Sequence, residues 1–328
     1  MTPARLVRHL RLSGDVRGEV IRARQSFDAA AEREALVHRG ISFVGRDEFP
    51  RRLREIYDPP FGLFVRSAGT TGIDDGDRPV VAIVGARRAT VAGRDFARRL
   101  SRELAERGAL VISGLARGID GAAHSGALEG GGRTHAVLGS GVDVPYPRRN
   151  QGLADRVIES GALISEYWPG TTPAPWHFPA RNRIVSGLAH ATVVVEAGER
   201  SGALITADFA AEHGRQVLAV PGAPWCELAA GANALIRAGA ALCESIEDVV
   251  AELAGLAWAP PGGDGPPRLS DEASDVLQLL QEQTLDLDGL AACSAHCAAD
   301  LLRLLGELEL AGCVGRAGAG RWRALSPR

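Results

Sequence analysis

Two short arginine clusters are the residues of this chain best suited to chemistry on an anion. VGARRAT sets Gly85, Arg87 and Arg88 at the end of an apolar run, and FPARNR sets Arg181, Asn182 and Arg183 just after Phe178. A guanidinium is a planar fork of donors that matches phosphate oxygens, and an aromatic ring gives an unpaired base a face to stack on. Asn182 either donates and accepts at a base edge or caps a helix entering at Arg183. Between the clusters, SGLARGIDGAAH brings Gly114 and Arg117 to a second strand end, with Asp120 placed to cap the helix of His124, itself read as a packing residue. Ser201, Gly202 and Thr206 form a small-residue turn that opens another helix, a type of anion seat. Glu196 ends a buried run and is expected to pair with an arginine of the second cluster.

These residues do not read as a nucleotide-dependent enzyme. Where a dinucleotide site needs Gly-x-Gly-x-x-Gly, Gly85 is followed by Ala86, Arg87 and Arg88, and a chain without lysine has no Walker lysine. No Ser/His/Asp constellation stands out, and Cys293, His296, Cys297 and Cys313 lack the knuckle spacing of a zinc site. The expectation is no catalytic residue, no metal and no cofactor.

The elements that must position these residues follow from the hydropathy pattern. Continuous apolar runs at 80–85, 110–114, 135–140, 162–166, 191–198, 216–222 and 240–245 predict buried strands. Helical text lies between them, at 92–107, 121–129, 150–160, 182–189, 203–213 and 233–238. Strand and helix in alternation predict a Rossmann-like, doubly wound, mostly parallel α/β sheet over 78–256. Residues 1–77 read as a small helical domain, the Pro- and Gly-dense stretch 257–268 as a linker, and 269–328 as a winged-helix domain of three helices and a hairpin around Gly318 and Gly320.

Composition sets outer bounds. With 328 residues, 45% of them apolar, the chain can fill several cores, and its net charge of −3 excludes a uniformly basic surface. Any nucleic-acid contact must be local. From Arg78 to Arg117 nine arginines stand against three acids, an excess of six positive charges. Five cysteines without framework spacing read as reduced thiols, and no apolar stretch is long enough to span a membrane, which together predict a cytoplasmic protein.

The ordered set VGARRAT, SGLARGIDGAAH, GSGVDVPYP, ISEY, FPARNRIVSGL, VVVEA, SGALIT, VPG and GANALIRAGA resembles the DNA-processing DprA/Smf family over roughly residues 41–245. The resemblance implies a homodimeric recombination mediator that binds single-stranded DNA, protects incoming strands in natural transformation and helps load RecA. It assigns DNA contacts to Arg87, Arg88, Phe178, Arg181, Asn182 and Arg183, with Gly85, Gly114, Arg117 and Ser201 shaping the groove. It also places self-association near Leu235 and Ile236, for which a plain core role is the alternative. One departure concerns the lysine that family members often carry before the phenylalanine: this chain reads Pro175-Trp176-His177, where Trp176 offers a second stacking face. The acidic recognition helix of the winged unit fits protein docking better than duplex reading. The competing function is a nucleotide phosphoribohydrolase with Glu196 as its carboxylate, but the glutamate expected after the glycine turn is displaced, none following Ser201 before Glu212.

Overall fold

The computed structural model describes residues 28–69, 73, 78–259, 271–294, 296–310, 313–317 and 320–324. By its backbone contacts the chain divides into a unit spanning Met1–Phe43 and one spanning Val44–Arg328. In the first, helix α1 (Ala29–His38) starts at Asp28, whose carboxylate accepts from the amides of Ala30 and Ala31. Strand β1 (Ile41–Gly45) crosses the division.

The second unit opens with a short helix, α2 (Arg51–Arg54), and a strand, β2 (Gly62–Arg66). Then β3 (Val80–Val84), α3 (Val91–Glu106), β4 (Leu110–Ser113), α4 (Ile119–Glu129), β5 (Thr134–Val137), α5 (Gln151–Ser160) and β6 (Ala162–Ser165) follow. The chain next crosses to the other side of β3 with α6 (His177–Leu188), β7 (Ala191–Val194), α7 (Gly202–Glu212), β8 (Gln216–Ala219), α8 (Ala230–Arg237), β9 (Ala241–Leu242) and α9 (Ile246–Glu252). From β2 the sheet order is β2-β6-β5-β4-β3-β7-β8-β9, parallel throughout except for β2 against β6.

Sidedness explains the unbroken apolar runs. In β3, Val80, Ala82 and Val84 enter one core with Ile184, Val185 and Leu188 of α6, while Val81 and Ile83 enter the other with Leu100 and Leu104 of α3. Both faces are covered, so alternation is lost. Each such aliphatic side chain removed from water contributes about 1.5–3 kcal/mol, which makes β3 a rigid floor for the loop that follows it.

The structure departs from the sequence reading in four places. The segment Gly62–Arg66, read as part of a helical first domain, pairs antiparallel with β6 at the edge of the large sheet. The last predicted strand shrinks to Ala241–Leu242, because Ser245 and Asp248 form a capping box that starts α9 at once. Helix α6 begins at His177 rather than Asn182, with Pro179 as its third residue; a first-turn amide has no acceptor within the helix, so proline is tolerated there. Asp120 does not cap α4: Gly118 holds that place, with φ of +78°, and Asp120 lies in the first turn.

The carboxyl-terminal segment forms α10 (Asp271–Glu282), α11 (Leu287–Cys293), α12 (Ala298–Leu310) and an antiparallel pair, β10 (Val314–Arg316) with β11 (Trp322–Ala324). Val276, Leu280, Leu290, Leu301, Leu304, Leu308 and Trp322 form its core, as three helices and a wing require. Gly318 lies outside the described residues.

Candidate nucleic-acid interface

Strand order reverses at β3, which has β4 on one side and β7 on the other, and open α/β sheets hold ligands outside the carboxyl ends of the strands at such a point. A cleft of about 440 Å³ opens there. Three loops and one helix build it.

The first loop carries Arg87 and Arg88. It is braced by Glu196, whose main-chain oxygen accepts from the Ala86 amide at 2.7 Å and whose carboxylate accepts from the Thr90 amide at 2.9 Å and the Thr90 hydroxyl at 2.5 Å. Thr90 in turn caps α3 by accepting from the Gly93 amide. A side chain at Gly93 would run into that carboxylate, its Cβ 2.4 Å from Glu196 Cδ. Glu196 thus pairs with a threonine rather than with the second arginine cluster, and it does not line the cleft, so the hydrolase reading loses its carboxylate. The braced loop projects Arg87 and Arg88 into solvent, and the Arg87 guanidinium lies over the Phe178 ring, 5.1 Å from its centroid.

The second loop folds onto Asp120. Its buried carboxylate accepts from the amides of Gly114 at 3.1 Å and Ala116 at 3.2 Å. Burial pushes the Asp120 carboxyl above the usual aspartate range, opposed by the Arg181 charge and by those two amides. Arg181 is itself 5% exposed, lowered by burial to about 10, and it donates from Nη1 to the Val137 carbonyl while Nε has no partner. It remains a cation at neutral pH. Gly114 makes room for it, since a Cβ there would lie 2.0 Å from Arg181 Nη1.

Because α6 already runs through the second cluster, three consecutive side chains point about 100° apart around the helix. Arg181 points inward, Asn182 lines the cleft with its amide donating to the Gly202 carbonyl at 3.2 Å, and Arg183 leaves on another side. Arg183 donates to both oxygens of Glu166, at 2.8 and 2.9 Å, to the Asp58 carbonyl and to the Ala180 carbonyl. That is a structural clamp rather than a free cation on a loop. The third loop ends at Ser201, which caps α7 by accepting from the Ala203 amide.

Gly85, Arg87, Gly114, Phe178, Arg181, Asn182 and Ser201 therefore line one cleft, and Arg117 lines a hollow adjoining it with Arg87 and Phe178. Arg88 and Arg183 line neither. Part of the arginine excess read from the sequence is offset by acids from outside that stretch, Arg98 pairing with Glu129 and Arg107 with Glu247, while Arg99 pairs with Glu103 and Arg102 with Glu106 along α3. Tyr146, whose ring is 5.8 Å from that of Phe178, lines the cleft and was given no role by the sequence, although the tyrosine in VDVPYP was its signal. Leu235 and Ile236 are half-buried on α8 against the core shared with α6. Among the described residues no group of His, Cys, Asp and Glu could hold a metal ion, and no helix is long and apolar enough to cross a membrane.

A mostly parallel α/β sheet with an arginine- and aromatic-lined cleft at its switch point, followed by a winged helix, defines a protein built to hold a phosphate-bearing polymer. The family model described as DNA recombination-mediator protein A matches residues 40–254, and that of the DprA winged helix domain matches residues 252–320. The chain is similar to the DNA processing protein DprA of Bacillus subtilis, 41% identical over 210 residues, which are 64% of this chain and 70% of the relative. Its fold is similar to the X-ray structure of DprA from Streptococcus pneumoniae, with a TM-score of 0.61 and 41% identity over 67% of this chain and 77% of that one. A Helicobacter pylori DprA structure, described for its single-stranded DNA binding mode, matches with a TM-score of 0.59 and 28% identity over 66% of this chain and 96% of that one. This chain belongs to the DNA recombination-mediator protein A (DprA/Smf) family and is a DNA-processing recombination mediator.

Proposed function

We propose that this mediator binds single-stranded DNA in the carboxyl-edge cleft as a homodimer in the cytoplasm, protects the incoming strand and helps load RecA on it. It does so with no nucleotide cofactor and no chemical step of its own. The observation that carries this reading is Arg87 seated over Phe178 at the cleft mouth. A cation on a ring face is exchangeable: a base that takes its place on the ring frees the guanidinium to reach the adjacent phosphate. Only an unpaired base can enter, because in a duplex its faces are already stacked and its phosphates form the outer wall. Leu235 and Ile236 on α8 are the edge we assign to self-association, and Arg88 and Arg117 supply outlying charge around the cleft.

Fluorescence anisotropy with one sequence as single strand and as duplex, at two salt concentrations, tests the proposal. The single strand is expected to bind more tightly, and to weaken with salt as cation–phosphate contacts do. Equal affinity for the duplex would contradict it.

A further inference from the structure

The aromatic rings that the fold leaves in water are not spread evenly. In the unit that holds the sheet, the exposed ones among the described residues are Tyr57, Phe61, Tyr146, Trp168, Trp176 and Trp225. All six stand at the carboxyl edge. Tyr146, Trp168 and Trp225 follow β5, β6 and β8, and Trp176 precedes α6, while Tyr57 and Phe61 precede β2, whose antiparallel course brings its start to that edge. Among the described residues the amino edge carries none. Single exposed apolar side chains are ordinary on a protein surface, but this sorting to one edge is not, and of the six only Tyr146 lines the cleft.

The backbone under the rings is fixed on both sides of the cleft. On the β2 side, Tyr167 stacks on His177 with centroids 4.0 Å apart, which ties the residue before Trp168 to the residue before Phe178. Trp168 meets the buried Phe64 ring edge to face at 5.0 Å, and the register that pairs Phe64 with Ser165 brings Phe61, 90% exposed, beside Trp168. The Asp58 carbonyl, between Tyr57 and Phe61 in the chain, is held by Arg183 of α6. On the β8 side Trp225 is 87% exposed, yet its loop is pinned. The Gly222 amide donates to Asn233 at 3.1 Å, the Asn233 amide returns a bond to the Gly222 carbonyl at 2.8 Å, and the Leu228 carbonyl accepts from the Ala197 amide at 2.7 Å. A ring held out by a rigid loop loses little freedom when something stacks on it.

We infer that the cleft is the middle of a longer single-strand track along the carboxyl edge, with Trp168 and Phe61 as stacking faces on one side of it and Trp225 on the other. The inference rests on the reading that single-stranded DNA occupies the cleft, and it adds the footprint of the strand. From β2 to β8 the sheet order has six spacings of about 4.8 Å, so the outer rings stand about 29 Å apart, a span that an extended strand crosses in about five nucleotides. Unpaired bases suit this arrangement better than a protein partner does. A protein would be met by rings gathered into one apolar patch, whereas these are spaced out along the strand ends and interrupted by the exposed guanidiniums of Arg87 and Arg88, which can take phosphates. The outer rings are neutral, so they lengthen the bound strand without adding charge to the contact.

The test is the affinity of the full-length chain for oligothymidines of about four and about twelve nucleotides, one confined to the cleft and one able to reach the outer rings. Phe61→Ala combined with Trp225→Ala should weaken binding of the longer strand by about fivefold or more for each ring, the scale of one lost stacking contact. Binding of the short strand, the salt slope and the thermal midpoint should stay as in the wild-type chain, since both rings are exposed and neither is a cation. Wild-type affinity of the double variant for the longer strand would overturn the track and leave the cleft standing. Weaker binding accompanied by a lower sedimentation mass would make the rings a contact between subunits and would overturn it as well. Absence of single-strand binding by the wild-type chain would instead remove the proposed function and the track with it.

Discussion

Arg87 and Arg183 carry the same side chain in motifs of the same kind, yet one stands at the cleft mouth and the other is spent inside the fold. Arg87 is exposed on a loop whose shape is set by Glu196, and its one ring contact is exchangeable. Arg183 is 9% exposed and gives all its donor groups to Glu166, Asp58 and Ala180. Arg181 lies between the two cases: fixed and buried, it still borders the cleft as a standing positive charge. What separates binding from scaffolding here is the direction in which the backbone launches each side chain.

The largest effect that tests this contrast is on stability. Arg183→Ala leaves the partly buried Glu166 carboxylate without its partner and should destabilise the chain by about 3 kcal/mol, read as a lower midpoint in urea. Wild-type stability combined with lost DNA binding would move Arg183 back among the contacts. Phe178→Ala removes the stacking face, and base–aromatic stacking is worth about 1–3 kcal/mol, so single-strand affinity should drop by tenfold or more. An unchanged dissociation constant would take the ring out of the path.

A smaller effect separates the core from the cleft by pH. Burial lowers His124 to about 3 and His190 to about 4. Thr134 Oγ1 donates to the Val111 carbonyl and so accepts from His124 Nδ1, while His190 Nδ1 accepts from the Val80 amide; both rings are neutral in the fold. The unfolded chain takes up protons below about 6.5 and the fold does not, so their contribution is complete above that pH and is lost as pH falls toward the folded values. The expected loss is about 1 kcal/mol per histidine for each pH unit below about 6.5, and His124→Gln should flatten the slope between about pH 7.5 and about pH 5.5. A slope unaltered by His124→Gln would mean that other groups set the acid limit.

Much of this was legible in the residues. The buried strands, the winged unit and seven of the cleft-lining residues follow from apolar runs and from motifs at strand ends. What the sequence hid was orientation. The sequence reads as a helix from Asn182 with the cluster at its entry, whereas the helix starts at His177, so Arg181, Asn182 and Arg183 lie within α6 and point about 100° apart, where they cannot share a task. Acid partners far along the chain were equally hidden, since Arg98 meets Glu129 and Arg107 meets Glu247 only after the sheet folds. Likewise, nothing local marks Glu196 as the brace of a loop more than a hundred residues earlier.

The salt dependence of single-strand affinity in Arg87→Ala, measured beside the wild-type chain together with the thermal midpoints of both, tests the central claim most directly. An exposed cation that reaches a phosphate should take about 0.7 from the slope of log affinity against log salt, weaken binding severalfold and leave the midpoint unchanged. The same slope and affinity in both proteins would contradict the claim that the rim, rather than the buried arginines, holds the strand.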